Sequence, residues 1–94
     1  MLKFLEEKGN KRILEDILRM YHKDQLIVAI EELSELQKEL CKTLRGKLNI
    51  DNITEEMADV YIMLEQIKIY FDISQDEIDR VIQYKLDRTK ERYL

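Results

Sequence analysis

Acidic residues three positions apart occur in two neighbouring segments of the chain. The first segment carries Glu32 and Glu35, and the second carries Glu56 and Asp59. Residues at this spacing are neighbours on one face of a helix, so each pair would present two carboxylates on the same side. Carboxylates held that closely repel each other unless they are protonated or neutralised by a cation. A hard divalent ion that prefers oxygen ligands, Mg²⁺ or Mn²⁺, would relieve that repulsion.

The connection between the two acidic segments is short, which favours antiparallel packing of the helices that carry them. Such packing would bring all four carboxylates into one small volume. A Glu-rich helix face is usually only solvated, so an acidic surface without chemistry is the alternative for either pair alone. The second pair, and the basic residues that follow it, favour a site.

The composition predicts an all-α fold. The 94 residues include no Pro and only two Gly, and 38% of them are charged, which suits long uninterrupted helices. A chain of this length buries a limited core by itself. We therefore expect a single domain over residues 1–94, an antiparallel helical bundle of about four helices that is completed by oligomerisation.

Capping residues and apolar periodicity predict where the helices begin and end. Residues 1–9 should form a short helical turn or a mobile arm, which Gly9 and Asn10 end. Around His22 the pattern changes, and the sequence leaves open whether the chain breaks or kinks there. The four predicted helices cover 10–21 with Asn10 as N-cap, 25–44 with Asp24 as cap and Gly46 at the end, 52–71 with a capping box of Asn52 and Glu55, and 75–93 with a capping box of Ser74 and Glu77.

The second and third helices should each carry an apolar stripe that faces the core. On the second helix, only the edge of the acidic face should touch the core. The third helix is also apolar on further sides, at Ile62, Ile69 and Tyr70. A short chain cannot bury a helix on several sides, so we expect another subunit to cover it, with a symmetric dimer as the simplest case. The two stripes consist of Leu26, Ala29, Ile30, Leu33, Leu36, Leu40 and Leu44, and of Met57, Val60, Tyr61, Leu64, Ile67 and Phe71.

The last helix changes from apolar to basic along one sector. Ile78, Val81 and Ile82 are followed in the same sector by Lys85 and Arg88. Long cationic side chains on the core-facing side would reach over an anionic site, although they could also pair with acidic neighbours. Together with the carboxylates they would suit a phosphate ester: metal ions would neutralise and orient a polyphosphate, basic residues would stabilise the leaving oxygens, and one carboxylate would be the general base.

Charge and cysteine content limit the partners and the compartment. The net charge of −4 argues against nucleic-acid binding. No stretch is long and apolar enough for a membrane span or a signal peptide. The lone Cys41 lies among helical residues, where we expect it to be buried and reduced, so the expected location is the cytoplasm.

The order of the motifs is similar to that of a known enzyme family. Gln25, residues 31–36 (EELSEL), residues 53–60 (ITEEMADV) and residues 85–88 (KLDR) resemble the MazG-like branch of the all-α nucleoside triphosphate pyrophosphohydrolases over most of the chain. The resemblance implies Mg²⁺-dependent hydrolysis of a nucleoside triphosphate to the monophosphate and pyrophosphate by a dimer or tetramer. It implies Glu32, Glu35, Glu56 and Asp59 as metal ligands and Lys85, Arg88 and Gln25 as substrate contacts.

The sequence thus predicts a cytoplasmic homodimer or homotetramer that hydrolyses a (deoxy)nucleoside triphosphate between the α and β phosphates, for instance to cleanse the nucleotide pool. Either Glu32 or Glu35 would be the catalytic base toward the attacking water. The alternative is a non-catalytic helical interaction protein whose acidic residues are a solvated face and whose surplus apolar surface serves a partner.

Overall fold

The computed structural model describes residues 3–94, which form five helices and no strand. The all-α prediction is therefore confirmed for this range. The expected arm at 1–9 falls partly on residues 1 and 2, which lie outside the described residues. The helices are α1 (Lys3–Glu6), α2 (Lys8–Tyr21), α3 (Asp24–Leu44), α4 (Ile50–Phe71) and α5 (Gln75–Tyr93).

The start of α2 differs from the prediction. The helix begins at Lys8 and continues through Gly9 and Asn10, so these residues do not end a helical segment and Asn10 is not an N-cap. The Asn10 side-chain amide instead donates a hydrogen bond of 2.8 Å to the carbonyl oxygen of Phe4. Because the Asn10 amide is used across the α1–α2 junction, its capping potential at the start of a helix is not realised.

The helical conformation is interrupted between α2 and α3. His22 adopts a positive φ of 48°, which ends α2, and its N–H still bonds to the carbonyl of Leu18. Asp24 is the first residue of α3. The prediction that it would be the N-cap is therefore wrong. A carboxylate in the first turn is nevertheless favourable, because it faces the positive end of the helix dipole.

Gly46 ends α3, as predicted. It adopts a φ of 84°, and Lys47 N–H donates to Lys42 O at 2.9 Å, the bond that closes a Schellman turn. The predicted capping box of Asn52 and Glu55 is wrong, because Asn49 caps α4 by accepting a bond from the Asn52 N–H at 3.1 Å. Asn49 is therefore the N-cap, and α4 starts at Ile50.

The turn between α4 and α5 agrees with the prediction. Asp72 adopts a left-handed conformation, with φ 53° and ψ 44°, and ends α4. Ser74 Oγ accepts from the Glu77 N–H, and the Glu77 carboxylate accepts from the Ser74 N–H, which completes the expected capping box. The direction in which α5 leaves α4 is set within these few residues.

Helices α3 and α4 are the principal packed pair, and α2 packs against both. The five-residue connection makes them run in opposite directions, so Glu32 of α3 meets Asp59 of α4. Among the described residues, the buried apolar side chains are Leu5, Leu14, Leu18, Ala29 and Met63. None of the residues of α5 is buried against the rest of the described chain.

The predicted apolar stripes of α3 and α4 are mostly exposed. Leu40 and Leu44 are 49% and 87% exposed, whereas Glu39 is only 8% exposed. The contact between the two helices therefore includes part of the acidic sides, beside stripe residues such as Ala29 and Val60. Acidic pair and stripe are separated by about a quarter of a turn on each helix, so one hairpin can bury only one of them.

Cys41 lies on the side of α3 that faces away from α4, and its thiol is exposed and free. The expectation that it would be buried is therefore wrong. Cys41 and Glu32 point in roughly opposite directions around the helix axis. Packing along the Glu32 side therefore leaves Cys41 in solvent.

Candidate metal centre

Three carboxylates converge between α3 and α4. Glu32 comes from α3, Glu56 and Asp59 come from α4, and one oxygen of each lies within 4.8 Å of the others. Glu32 and Glu56 are half-buried, and Asp59 is exposed. The convergence follows from the i, i+3 spacing on α4 and from the short connection that folds α4 back along α3.

Glu35, the fourth predicted ligand, lies at the edge of the cluster and not within it. Its side chain is exposed on α3. Its charge nevertheless contributes to raising the pKa of both Glu32 and Glu56, so it is close enough to act on them. The structure thus brings three of the four predicted ligands together and leaves the fourth beside them.

The electrostatics of the cluster are those of like charges held together. Burial raises the pKa of Glu32, and a hydrogen bond with Asp59 and the charges of Asp59, Glu56 and Glu35 raise it further. The pKa of Glu56 is raised first by burial and then by the charges of Asp59, Glu35, Glu39 and Glu55. Both carboxyls therefore favour their protonated form more than an isolated glutamate does. A cation between them would reverse that preference.

The donor set suits a hard cation. All three converging side chains offer carboxylate oxygens, the ligands preferred by Mg²⁺ and Mn²⁺. Two of the donors lie on α4 and the third on α3, so both helices of the hairpin would hold the ion. The residues therefore fit the predicted metal.

Glu39 is a neighbour that the sequence reasoning missed. It is buried on α3, its carboxylate lies 3.2 Å from the Lys42 ammonium, and its charge contributes to the raised pKa of Glu56. The available signal was its spacing, because Glu32, Glu35 and Glu39 follow each other at three and four residues on one helix face. It extends the acidic surface toward the end of α3.

Gln25, a predicted substrate contact, lies on the same face of α3 as Glu32. It is half-buried and precedes Glu32 by seven residues, about two helical turns. Its position is therefore in line with the carboxylate cluster. An ordinary role in the first turn of α3 would give the same placement.

Lys85 and Arg88, the other predicted substrate contacts, lie in the exposed second half of α5. The Arg88 guanidinium lies 5.8 Å from the ring centre of Tyr84 on the same helix. Within residues 3–94, α5 is not among the helices that pack closely against α3. A single chain therefore does not bring them to the acidic cluster.

None of the helices between residues 3 and 94 is long and apolar enough to cross a membrane.

Comparison of the chain with protein families, with curated proteins and with solved structures finds no match. The resemblance to MazG-like enzymes therefore rests on the two acidic segments and the basic helix, and the activity it implies stays a prediction.

Proposed function

We propose that this protein is a Mg²⁺-dependent hydrolase that converts a (deoxy)nucleoside triphosphate to the monophosphate and pyrophosphate. The observation that supports this most is the convergence of Glu32, Glu56 and Asp59 within 4.8 Å. These three residues belong to the two segments that resemble the MazG-like motifs. Nucleotide-pool cleansing in the cytoplasm would be a suitable role for such an activity.

Each acidic residue has a task in this proposal. Glu32, Glu56 and Asp59 would hold the cation, with Mn²⁺ as a substitute, and Glu35 would complete the site from its edge. The bound ion would supply charge neutralisation and Lewis-acid polarisation of the triphosphate. Water attacks the α-phosphorus, its proton passes to Glu32 or Glu35, and the bridging α–β oxygen leaves with pyrophosphate. A carboxylate beside the attacking water can accept this proton, and Glu35, at the edge of the cluster, can do so without being one of the three converging ligands.

We propose a second copy of the chain as the partner. The apolar stripes of α3 and α4 are offset in the same rotational sense on two antiparallel helices, so they lie on the same side of the pair. Leu33, Leu40, Met57 and Leu64 on that side are each more than one-third exposed. A homodimer would bury this surface, and a homotetramer would pair two dimers. Assembly would also give Lys85 and Arg88 of α5 a route to an acidic cluster.

The test is pyrophosphate release from a panel of canonical and modified (deoxy)nucleoside triphosphates, with Mg²⁺ and with EDTA. We expect metal-dependent release with an equal amount of monophosphate. Glu35→Gln and Asp59→Asn should abolish turnover and retain the helical circular dichroism spectrum, because each change removes charge without changing volume. Glu31→Gln is the matched control on α3 and should remain active. Full activity of Glu35→Gln and Asp59→Asn would refute the site.

The second candidate function is a non-catalytic interaction protein. The exposed apolar residues of α3, α4 and α5 favour it, because large apolar surfaces often mark a binding partner. The two candidates differ in their response to metal, since an ion that binds the native state raises the melting temperature. Millimolar Mg²⁺ should stabilise the enzyme and leave the interaction protein unchanged.

A further inference from the structure

A second group of charged side chains, separate from the acidic cluster, lies where α1, α4 and α5 meet, and its members on α4 are buried. The Lys68 ammonium lies 2.9 Å and 3.1 Å from the two Glu65 oxygens and 3.3 Å from Glu6 Oε1. Its shortest bond, 2.7 Å, goes to the side-chain oxygen of Gln75. Lys68 and Glu65 are 7% and 2% exposed. Lys68 thus joins α4 to α1 and to the first residue of α5.

Gln75 links Lys68 to a second residue of α5. Its amide oxygen accepts from Lys68, and its amide nitrogen donates to Asp79 Oδ1 at 2.8 Å, one turn further along the helix. Both ends of the amide are therefore engaged, which fixes the orientation of the side chain. A hydrogen bond to a charged group is also stronger and more directional than a neutral one.

Apolar packing of α5 against the bundle is incomplete, since no residue of α5 is fully buried. A groove of about 270 Å³ runs between the two helices, lined by Leu64 and Ile67 of α4 and by Ile78 and Ile82 of α5. Val81, on the same side of α5, is 53% exposed. The contacts that can set the direction of α5 are therefore concentrated at its start.

We propose that Lys68 and Gln75 form a polar clip that fixes the direction of α5 relative to α4. They are positioning residues, and under the proposed function they also determine where Lys85 and Arg88 lie. The role of Lys85 and Arg88 rests on the proposed function, whereas the clip itself does not. The clip consists of the hydrogen bond from Lys68 to Gln75, together with the carboxylates of Glu65 and Glu6 that balance the lysine charge.

The length of α5 amplifies any change at the clip. Lys85 follows Gln75 by ten residues, which is about 15 Å along a helix at 1.5 Å per residue. A rotation of roughly 20° at the clip would therefore move Lys85 by about 5 Å. A displacement of that size would separate a basic side chain from a phosphate that it contacts.

Spin-label distances between α3 and α5 test the clip directly. The labels are placed at Lys38→Cys and Lys90→Cys in a chain with Cys41→Ser, diluted with unlabelled protein so that only distances within one chain are measured. We expect a narrow distribution with Gln75 and a broader one, displaced by several ångströms, for Gln75→Ala. Gln75→Glu should stay closer to the wild type than Gln75→Ala, since its carboxylate still accepts from Lys68 but loses the bond to Asp79.

Gln83→Ala is the matched control. Gln83 donates to Asp87 four residues on, as Gln75 does to Asp79, but it lies beyond the clip. Equal distributions for Gln75→Ala and Gln83→Ala would overturn the proposal. Lys68→Met should broaden the distribution as Gln75→Ala does. If Lys68→Met does not fold, the Gln75 variants alone test the clip.

Enzyme assays separate this inference from the proposed function. Gln75→Ala should lower kcat/KM for the triphosphate on the order of tenfold or more, since small misplacements of contact groups have large effects. Mg²⁺ binding, measured by calorimetry, should remain unchanged, because the acidic cluster lies on other residues. A wild-type chain without hydrolysis would refute the proposed function and leave the distance result standing.

Discussion

Glu32 of α3 and Asp59 of α4 face each other with carboxylate oxygens within 4.8 Å. Burial and then a hydrogen bond to Asp59 raise the pKa of Glu32. A proton shared by this pair occupies the position that a cation would take, so protons and metal compete for the same oxygens. Stability, pH and metal affinity are therefore linked through these two residues.

Glu32→Gln should make the metal-free protein more stable at pH 7. The change removes one charge from a cluster of like charges while keeping the side-chain volume. Solvent screening limits the expected gain in the free energy of unfolding to about 1 kcal/mol or less. Urea denaturation measures the gain, and Glu31→Gln, outside the cluster, should show none. A loss of stability in Glu32→Gln would mean that the carboxylate is already neutralised.

The gain should depend on pH with a defined sign. A carboxyl whose pKa is raised in the native state binds more protons there than in the unfolded chain, so its contribution to stability is lost as pH rises through the native pKa. The difference between Glu32→Gln and the wild type should therefore be largest at neutral pH and vanish as pH falls below the usual glutamate value of 4.5. Urea titrations from pH 4 to pH 8 give this difference directly. A difference that grows toward acid pH would contradict it.

The pKa shifts of Glu6 and Glu77 have the opposite sign to that of Glu32. Their pKa values are lowered, that of Glu6 chiefly by its bond to Lys68 and that of Glu77 by the bonds to Ser74. Their contribution is present above the unfolded pKa and is lost as pH falls through the native value. The pH profile of the wild type contains both effects, so only its difference from Glu32→Gln isolates the cluster.

The helices and the convergence of the carboxylates could be predicted from the sequence, because both depend on local spacing and on short connections. The packed sides of α3 and α4 could not. The apolar stripe that ends at Leu44 has the stronger pattern, yet the hairpin buries Glu39, since packing against α2 and α4 fixes the rotation of each helix. The position of Lys85 likewise depends on the Asp72 turn and the Lys68 contact, neither of which periodicity reveals.

Gln66→Met should stabilise the protein. Gln66 is 2% exposed and donates to the carbonyl of Leu14 at 3.2 Å, but within the described residues its side-chain oxygen has no partner. Methionine has a similar shape and removes the unpaired oxygen, so the free energy of unfolding should rise by about 1 kcal/mol. Gln66→Ala is the control and should lower it by about 2 kcal/mol through a cavity. Destabilisation by methionine would show that the lost bond to the Leu14 carbonyl outweighs removal of the unpaired oxygen.

Asp72→Gly should also stabilise the chain. Asp72 has a φ of 53° at the end of α4, a conformation that costs an L-residue about 1 kcal/mol relative to glycine. Its negative charge also opposes the helix dipole at that end. Thermal unfolding should show the gain, while Gly46→Ala, at a φ of 84° and with nothing within 4 Å of the added Cβ, should lose about as much. Equal melting temperatures for Asp72→Gly and the wild type would show that Asp72 makes a compensating contact.

Leu40→Lys should dissociate the proposed homo-oligomer. Leu40 and Ile27 are 49% and 56% exposed on α3, but only Leu40 belongs to the apolar stripe that is continuous with α4. A charge buried in the interface would be strongly unfavourable, whereas on a solvated face it is tolerated. Light scattering after size exclusion should give at least twice the 11.4 kDa chain mass for the wild type and Ile27→Lys, and a single chain for Leu40→Lys. A monomeric wild type, or the same mass for both lysine variants, would assign the apolar stripe to a different partner.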